Sequence, residues 1–212
     1  MRRYAAFLLT ALTLIVFLPG LALPAPAAPD LPQPAEFARI REEPRRYTIL
    51  GYEREAFGSG WGPAPEQPGC TSREQAILTQ SQPEVLVGCD MEQGVLFDLY
   101  NQRDITITAS TRVEVDHVFP LSAAWDMGAW RWDNQTRQRF ANDPLNLVVT
   151  ARETNQDKSD QLPSRWMPPH PGSRCWYAQK LAAVALAYDL ALPHDDLATM
   201  RRACRFGTFR MK

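Results

Sequence analysis

Apolar and polar positions alternate most cleanly from Val113 to Phe119, where Pro120 stops the run; this predicts a short strand that delivers Asp116 and His117 at its end. Asn146 to Val149 is a second short apolar run. Thr150-Ala-Arg-Glu153 after it has the capping-box pattern, which predicts a helix beginning there. Strand, loop, strand and helix make a ββα unit. Upstream, Ile105-Thr-Ile-Thr108 also alternates, and pairing with Val113 to Val115 across residues 109–112 predicts a short β-hairpin that presents His117 at one end.

Around this unit the pattern predicts helices. One runs from Ser72 to Leu78, one from Ser122 to Trp130 capped by Ser122, and a short one from Asn134 to Ala141. Tyr177, Leu181, Val184, Leu186, Tyr188 and Leu190 mark a helix from Arg174 to Leu192, ended by Pro193. His194-Asp-Asp196 then opens a last helix running to about Cys204, its acids suiting the positive end of the helix dipole. Tyr47 to Leu50 reads as a short strand, and Gly58-Ser-Gly60-Trp61 as a loop. Trp125, Trp130 and Trp132 read as core, and His170 and His194 as surface histidines.

Residues 1–27 carry Arg2 and Arg3, an apolar run from Ala5 to Leu18, and small residues at Ala25 and Ala27, the layout of a secretory signal peptide cut near Ala27. A retained anchor is the alternative, although the apolar run is shorter than the roughly 20 residues a span needs. Residues 28–35 form a linker rich in Pro and Ala, and residues 36–212 a single domain with its ββα core at about 105–162. These features predict a secreted or periplasmic chain without stable membrane insertion once the leader is cut. Four cysteines in an exported chain favour disulfides, and of the three pairings the economical one joins Cys70 to Cys89 and Cys175 to Cys204. The absence of a Cys-x-x-Cys pair argues against structural zinc.

The chain has 23 basic and 24 acidic residues, a net of −1, which becomes −3 without Arg2 and Arg3. Contact with phosphate must then be local or bridged by a metal. A candidate basic rim consists of Arg131, Arg137, Arg139, Arg152, Lys158, Arg165 and Arg174.

Asp116-His117, Asn146, Asn155 and Lys158 in this order resemble the HNH (ββα-metal, His-Me finger) nucleases. Tyr52-Glu-Arg54, Phe57-Gly-Ser-Gly-Trp61, Cys70-Thr-Ser-Arg73 and Ala141-Asn-Asp-Pro-Leu-Asn146-Leu narrow the likeness to secreted HNH endonucleases, related to the C-terminal domain of GmrSD-type restriction enzymes. The resemblance runs from about Tyr47 to about Leu192. It implies an α+β fold with a ββα-metal core, surrounding helices and disulfides, and an exported endonuclease that hydrolyses phosphodiester bonds in nucleic acid, DNA foremost. In that scheme His117 is the general base, and Asn146 is its catalytic companion, fixing the ring. Asp116 and Asn155 hold a divalent cation, Mg²⁺ or Mn²⁺, for which hard oxygen donors are suited. Lys158 and Arg152 bind substrate. A bend at Val118 to Pro120 brings Asp116 and His117 to one site. The alternative is a catalytically weak module on the same fold that binds nucleic acid or envelope; no protein partner can be inferred.

Overall fold

A computed structural model describes residues 30–205. The expected signal peptide and cleavage site lie outside the described residues. The fold is mixed α+β with two disulfides.

Four strands, β1 (Glu42–Glu43), β2 (Ser81–Val87), β3 (Asp90–Asp98) and β4 (Arg103–Ile107), precede an antiparallel pair, β5 (Val113–His117) and β6 (Leu147–Ala151). In the β5–β6 ladder Val115 lies opposite Val149 and His117 opposite Leu147. Every residue of β6 is buried, because the strand divides two apolar clusters. Its period of two sends Leu147 and Val149 to a smaller cluster with Leu96, Ile107 and Val115, and Val148 to the main core. Helix α5 (Arg174–Ala187) gives the main core Trp176, Tyr177, Leu181 and Val184, which share it with Phe37, Phe119, Phe140 and Leu192.

Helix α1 (Ser72–Gln80), expected over Ser72 to Leu78, starts on a Thr71–Glu74 capping box. It ends at β6, where the Gln80 side chain donates to the carbonyl of Val149 and accepts from its N–H. Helices α2 (Leu121–Met127) and α3 (Asn134–Asn142) lie between β5 and β6, and α4 (Arg152–Lys158) follows β6 directly.

The expected hairpin between Ile105–Thr108 and Val113–Val115 does not form. β4 pairs instead with β3, Ile105 opposite Leu96 and Arg103 opposite Asp98, within a sheet of order β2-β3-β4. The Asp98 carboxylate accepts from the N–H groups of Tyr100 and Asn101 and so folds the β3–β4 turn, while Thr111 ties residues 108–112 back onto Thr106. β5 is thereby left for β6. The capping box at Thr150 is also absent: Thr150 belongs to β6, its hydroxyl donates to Asp98, and α4 starts at Arg152 without a side-chain cap. Ser122 does not cap α2, whose N-cap is Pro120, and its hydroxyl turns to Asp160. Residues 47–50 form no strand, since Arg46 and the Ile49 N–H are drawn onto Asp126. α5 stops at Ala187, and Leu192–Pro193 forms β7, paired in parallel with β1, before α6 (His194–Ala203).

Both disulfides join the expected partners, Cys70 to Cys89 and Cys175 to Cys204. The second clamps α5 to the end of α6, across a separation of 29 residues. Replacing Cys175 and Cys204 together by serine is expected to lower the unfolding free energy by about 2–5 kcal/mol, read from urea titrations of the parent and the double variant under non-reducing conditions.

Candidate active site

β5 alternates. Glu114 and Asp116 face α4, whereas Val115 and His117 face the smaller apolar cluster and Trp61. Asp116 is buried and uses both oxygens: Oδ1 accepts from Lys158 Nζ at 2.8 Å and Oδ2 from the Tyr100 hydroxyl at 2.7 Å. Lys158 also donates to the main-chain carbonyl of His117 at 2.9 Å. Burial pushes the Asp116 carboxyl above the usual carboxylate range, opposed first by Lys158 and then by the Tyr100 hydroxyl. Burial likewise holds the Tyr100 phenol well above its ordinary value.

Lys158 was expected to reach substrate, and the structure corrects this: its side chain is 0% exposed. The expected spacing is right, since Asn155 and Lys158 share a side of α4, but that side lies on β5.

On the other side of β5, His117 Nε2 lies 2.8 Å from the Ala141 carbonyl. A carbonyl only accepts, so Nε2 carries the proton and Nδ1 keeps its lone pair. Trp61 stacks on the ring, with centroids 5.4 Å apart and planes at 11°. Burial lowers the imidazole from 6.5 to about 4; the Ala141 hydrogen bond works against this, and the charges of Arg54 and Lys158 add to it. Asn146 does not touch this ring, contrary to expectation. It is fully buried, and its side chain accepts from the Phe119 N–H at 2.8 Å and donates to the Phe119 carbonyl, while its own carbonyl accepts from Val118 N–H. Asn146 therefore braces the bend after β5, and Ala141 orients the histidine.

With the bend in place, Asp116, His117 and Asn155 line one depression of about 270 Å³, together with Tyr52, Arg54 and Asp160. A second depression of about 110 Å³ adjoins His117 and is walled by Arg54, Gly58, Gly60 and Trp61. Gly58, at φ +112°, turns the chain from the short 3-10 helix Arg54–Phe57 into that wall, a conformation costly for a side chain with a Cβ. A larger depression, about 830 Å³, lies elsewhere, between α1 and the β2-β3-β4 sheet. Glu74, Glu84, Asp90 and Glu92 outnumber Arg73 and Arg112 along it, so it is poorly suited to a polyanion.

Asn155 donates through Nδ2 to Glu114 at 2.8 Å, which leaves its Oδ1 available. Arg152 also lies against Glu114, at 3.6 Å, so this expected substrate contact begins as one side of an ion pair. A carboxylate has about four acceptor positions. Two are occupied on Asp116; the remaining ones and Asn155 Oδ1, which line the same depression, are hard oxygen donors of the kind a small divalent cation takes. Asp160 is held by Ser122 and Arg46 and has no bond to Lys158. Of the basic rim, Arg137 is bound to the carbonyls of Ala56 and Trp132, and Arg174 to that of Pro168. Trp125 and Trp132 pack on the main core as expected, whereas Trp130 is exposed beneath Arg131.

Tyr100, Glu114, the Ala141 carbonyl and Arg54 all take part without having been assigned a role from sequence, and Trp61, read as a packing residue of a loop, packs on His117 itself. Glu114 was within reach, standing two places before Asp116 on an alternating strand. Arg54 and Trp61 sit in the Tyr52-Glu-Arg54 and Phe57-to-Trp61 stretches. Tyr100 carried no signal.

Residues 89–191 match the family described as GmrSD restriction endonucleases, C-terminal domain. An uncharacterized secreted protein of Arthroderma benhamiae is 36% identical over 142 residues, covering 64% of this chain and 68% of its own length. The chain belongs to the GmrSD C-terminal domain family. The family match includes Asp116, His117, Asn146, Asn155 and Lys158, and begins after Arg54 and Trp61. No solved structure matches. With a secreted relative and two disulfides, this GmrSD C-terminal domain protein is an exported one. Among the described residues no helix is long and apolar enough to cross a membrane.

Two outcomes test the site's energetics. Lys158→Ala leaves a buried carboxylate uncompensated and is expected to cost about 3–5 kcal/mol of stability, measured by urea unfolding at neutral pH. For His117, the folded pKa lies below the unfolded one, so between them the unfolded chain binds the extra proton. Its contribution is complete above pH 6.5 and is lost as pH falls towards about 4, by up to about 3 kcal/mol. Urea midpoints of the parent and His117→Gln at pH 4.5 and 7 should converge on the acidic side.

Proposed function

We propose that the protein is an exported, metal-dependent endonuclease that hydrolyses phosphodiester bonds in nucleic acid, with DNA the foremost substrate. In this reading residues 36–212 act as one domain, and β5, β6 and α4 are its ββα-metal core. The observation that carries the proposal is the state of His117. Its Nε2 proton is committed to Ala141, and its Nδ1 lone pair is free on a ring that borders the same depression as Asp116 and Asn155.

The chemistry requires a water oxygen to attack phosphorus as the P–O bond opposite breaks, with the water's proton removed. His117 Nδ1 accepts that proton. The low pKa keeps the ring unprotonated at neutral pH, and the Ala141 carbonyl, which favours the charged ring, stabilises the imidazolium as it forms. Stacking against Trp61 restricts the ring's rotation, and Asn146 holds the backbone bend that keeps His117 beside Asp116. Asp116 and Asn155 would hold the magnesium or manganese ion. When bound, such an ion supplies positive charge to the phosphate oxygens and the leaving alkoxide.

A second reading is a nucleic-acid-binding module of little activity. It is favoured by the Lys158 ammonium, which already neutralises Asp116 and weakens its attraction for a cation. Plasmid nicking by the purified protein with magnesium, with manganese and with EDTA separates the two. The nuclease cuts with metal and stops in EDTA, and His117→Ala slows it by roughly 10²–10⁴-fold. Asp116→Ala should raise the metal concentration needed for activity. Asn155→Ala should do so less, since a neutral donor contributes less. A parent that binds DNA and never cuts it with either ion would favour the binding module.

A further inference from the structure

We propose that Arg54 binds the substrate phosphodiester, gripping it at the wall shared by the two depressions beside His117. This rests on the nuclease reading above and adds a residue to it. Arg54, His117 and Leu121 are the residues common to both depressions, and Arg54 is the one basic side chain in either lining. It is exposed, and among the described residues it has no hydrogen-bond or ion-pair partner.

The neighbouring charges are otherwise committed. Lys158 is buried on Asp116, Arg152 pairs with Glu114, Arg46 bridges Asp126 and Asp160, and Arg137 is tied to backbone carbonyls. A chain with a net charge of −1 therefore places a single uncommitted guanidinium next to its candidate base. That charge is close enough to act on both Tyr52 and His117, which line the larger of the two depressions with it. Its mounting is firm: Phe57, three residues on, is buried in the main core, and the carbonyl of Ala56 accepts from Arg137. Guanidinium presents paired donors that match two phosphate oxygens, which favours arginine over lysine for this task.

A phosphodiester held there would have one flanking nucleotide over the Asp116–Asn155 depression. The other would lie over the one walled by Gly58, Gly60 and Trp61.

The test uses the full chain carrying His117→Ala, so that binding is read without cleavage, and a fluorescein-labelled DNA duplex followed by anisotropy with magnesium across a salt series. Adding Arg54→Ala is expected to weaken binding about 10- to 100-fold and to reduce the slope of log affinity against log salt by about 0.9. Arg54→Lys should keep most of the slope and lose part of the affinity. Arg103→Ala, on β4 and outside both depressions, controls for the loss of one positive charge. Equal affinity and slope for Arg54→Ala and Arg103→Ala would overturn the proposal, as would failure of the His117→Ala protein to bind the duplex at all. Plasmid nicking by the otherwise native chain is read separately. If the parent never cuts but Arg54→Ala still weakens binding, the nuclease reading fails and the Arg54 assignment stands; if the parent cuts and Arg54→Ala changes neither binding nor nicking, the reverse holds.

Discussion

A lysine with no exposed side chain governs this structure. Taking an ammonium out of water costs several kcal/mol unless an opposite charge and further acceptors replace the hydration. Lys158 finds both on β5, in the carboxylate of Asp116 and the carbonyl of His117. The geometry is demanding: the last turn of α4 must lie against the end of β5, and Tyr100 must come from the β3–β4 turn to take the second oxygen of Asp116. Three separate parts of the chain are thus registered to one carboxylate. The same contact puts Asn155, one turn earlier on α4, beside Glu114, and so sets which of its amide atoms remains available.

On the opposite side of β5, the histidine depends on a different chain of supports. Ala141 belongs to the last turn of α3, and the next residue, Asn142, accepts from the Gly62 N–H and the Ser72 hydroxyl. One helix end therefore orients the imidazole and also anchors the loop that lays Trp61 across it. Asn146 works on the backbone between the two sides. Asp116 and His117 point apart on a regular strand, and both reach one depression because the chain bends after β5, at a place where Asn146 supplies three hydrogen bonds.

What could be read from the sequence follows the range of the forces involved. Short periodic segments were legible: β5, α1, the body of α5, and the order Asp116, His117, Asn146, Asn155. Pairing between distant strands was less so. β2 contains Pro83 and β3 contains Gly94, both of which argue locally against a strand. Yet the pair accommodates them through irregular register at Pro83–Val85, and a Cβ on residue 94 would lie 2.5 Å from the Gln82 carbonyl oxygen. Thr150 likewise had the right neighbours for a cap, but a buried Asp98 52 residues away claimed its hydroxyl. Lys158 shows the same limit at the site itself. Spacing along a seven-residue helix says which residues share a side, and only tertiary packing decides whether that side meets solvent or a strand.

The side chain of Gln80 has a consequence for how this surface can be approached. An exposed strand edge invites an extended peptide to add itself through main-chain hydrogen bonds. At β6 the amide of Gln80 occupies the donor and acceptor of Val149 and acts as a one-residue third strand, delivered by the end of a disulfide-flanked helix. Addition of a foreign strand is blocked at that point, and whatever docks near the β5–β6 pair must be recognised through side chains and loops instead.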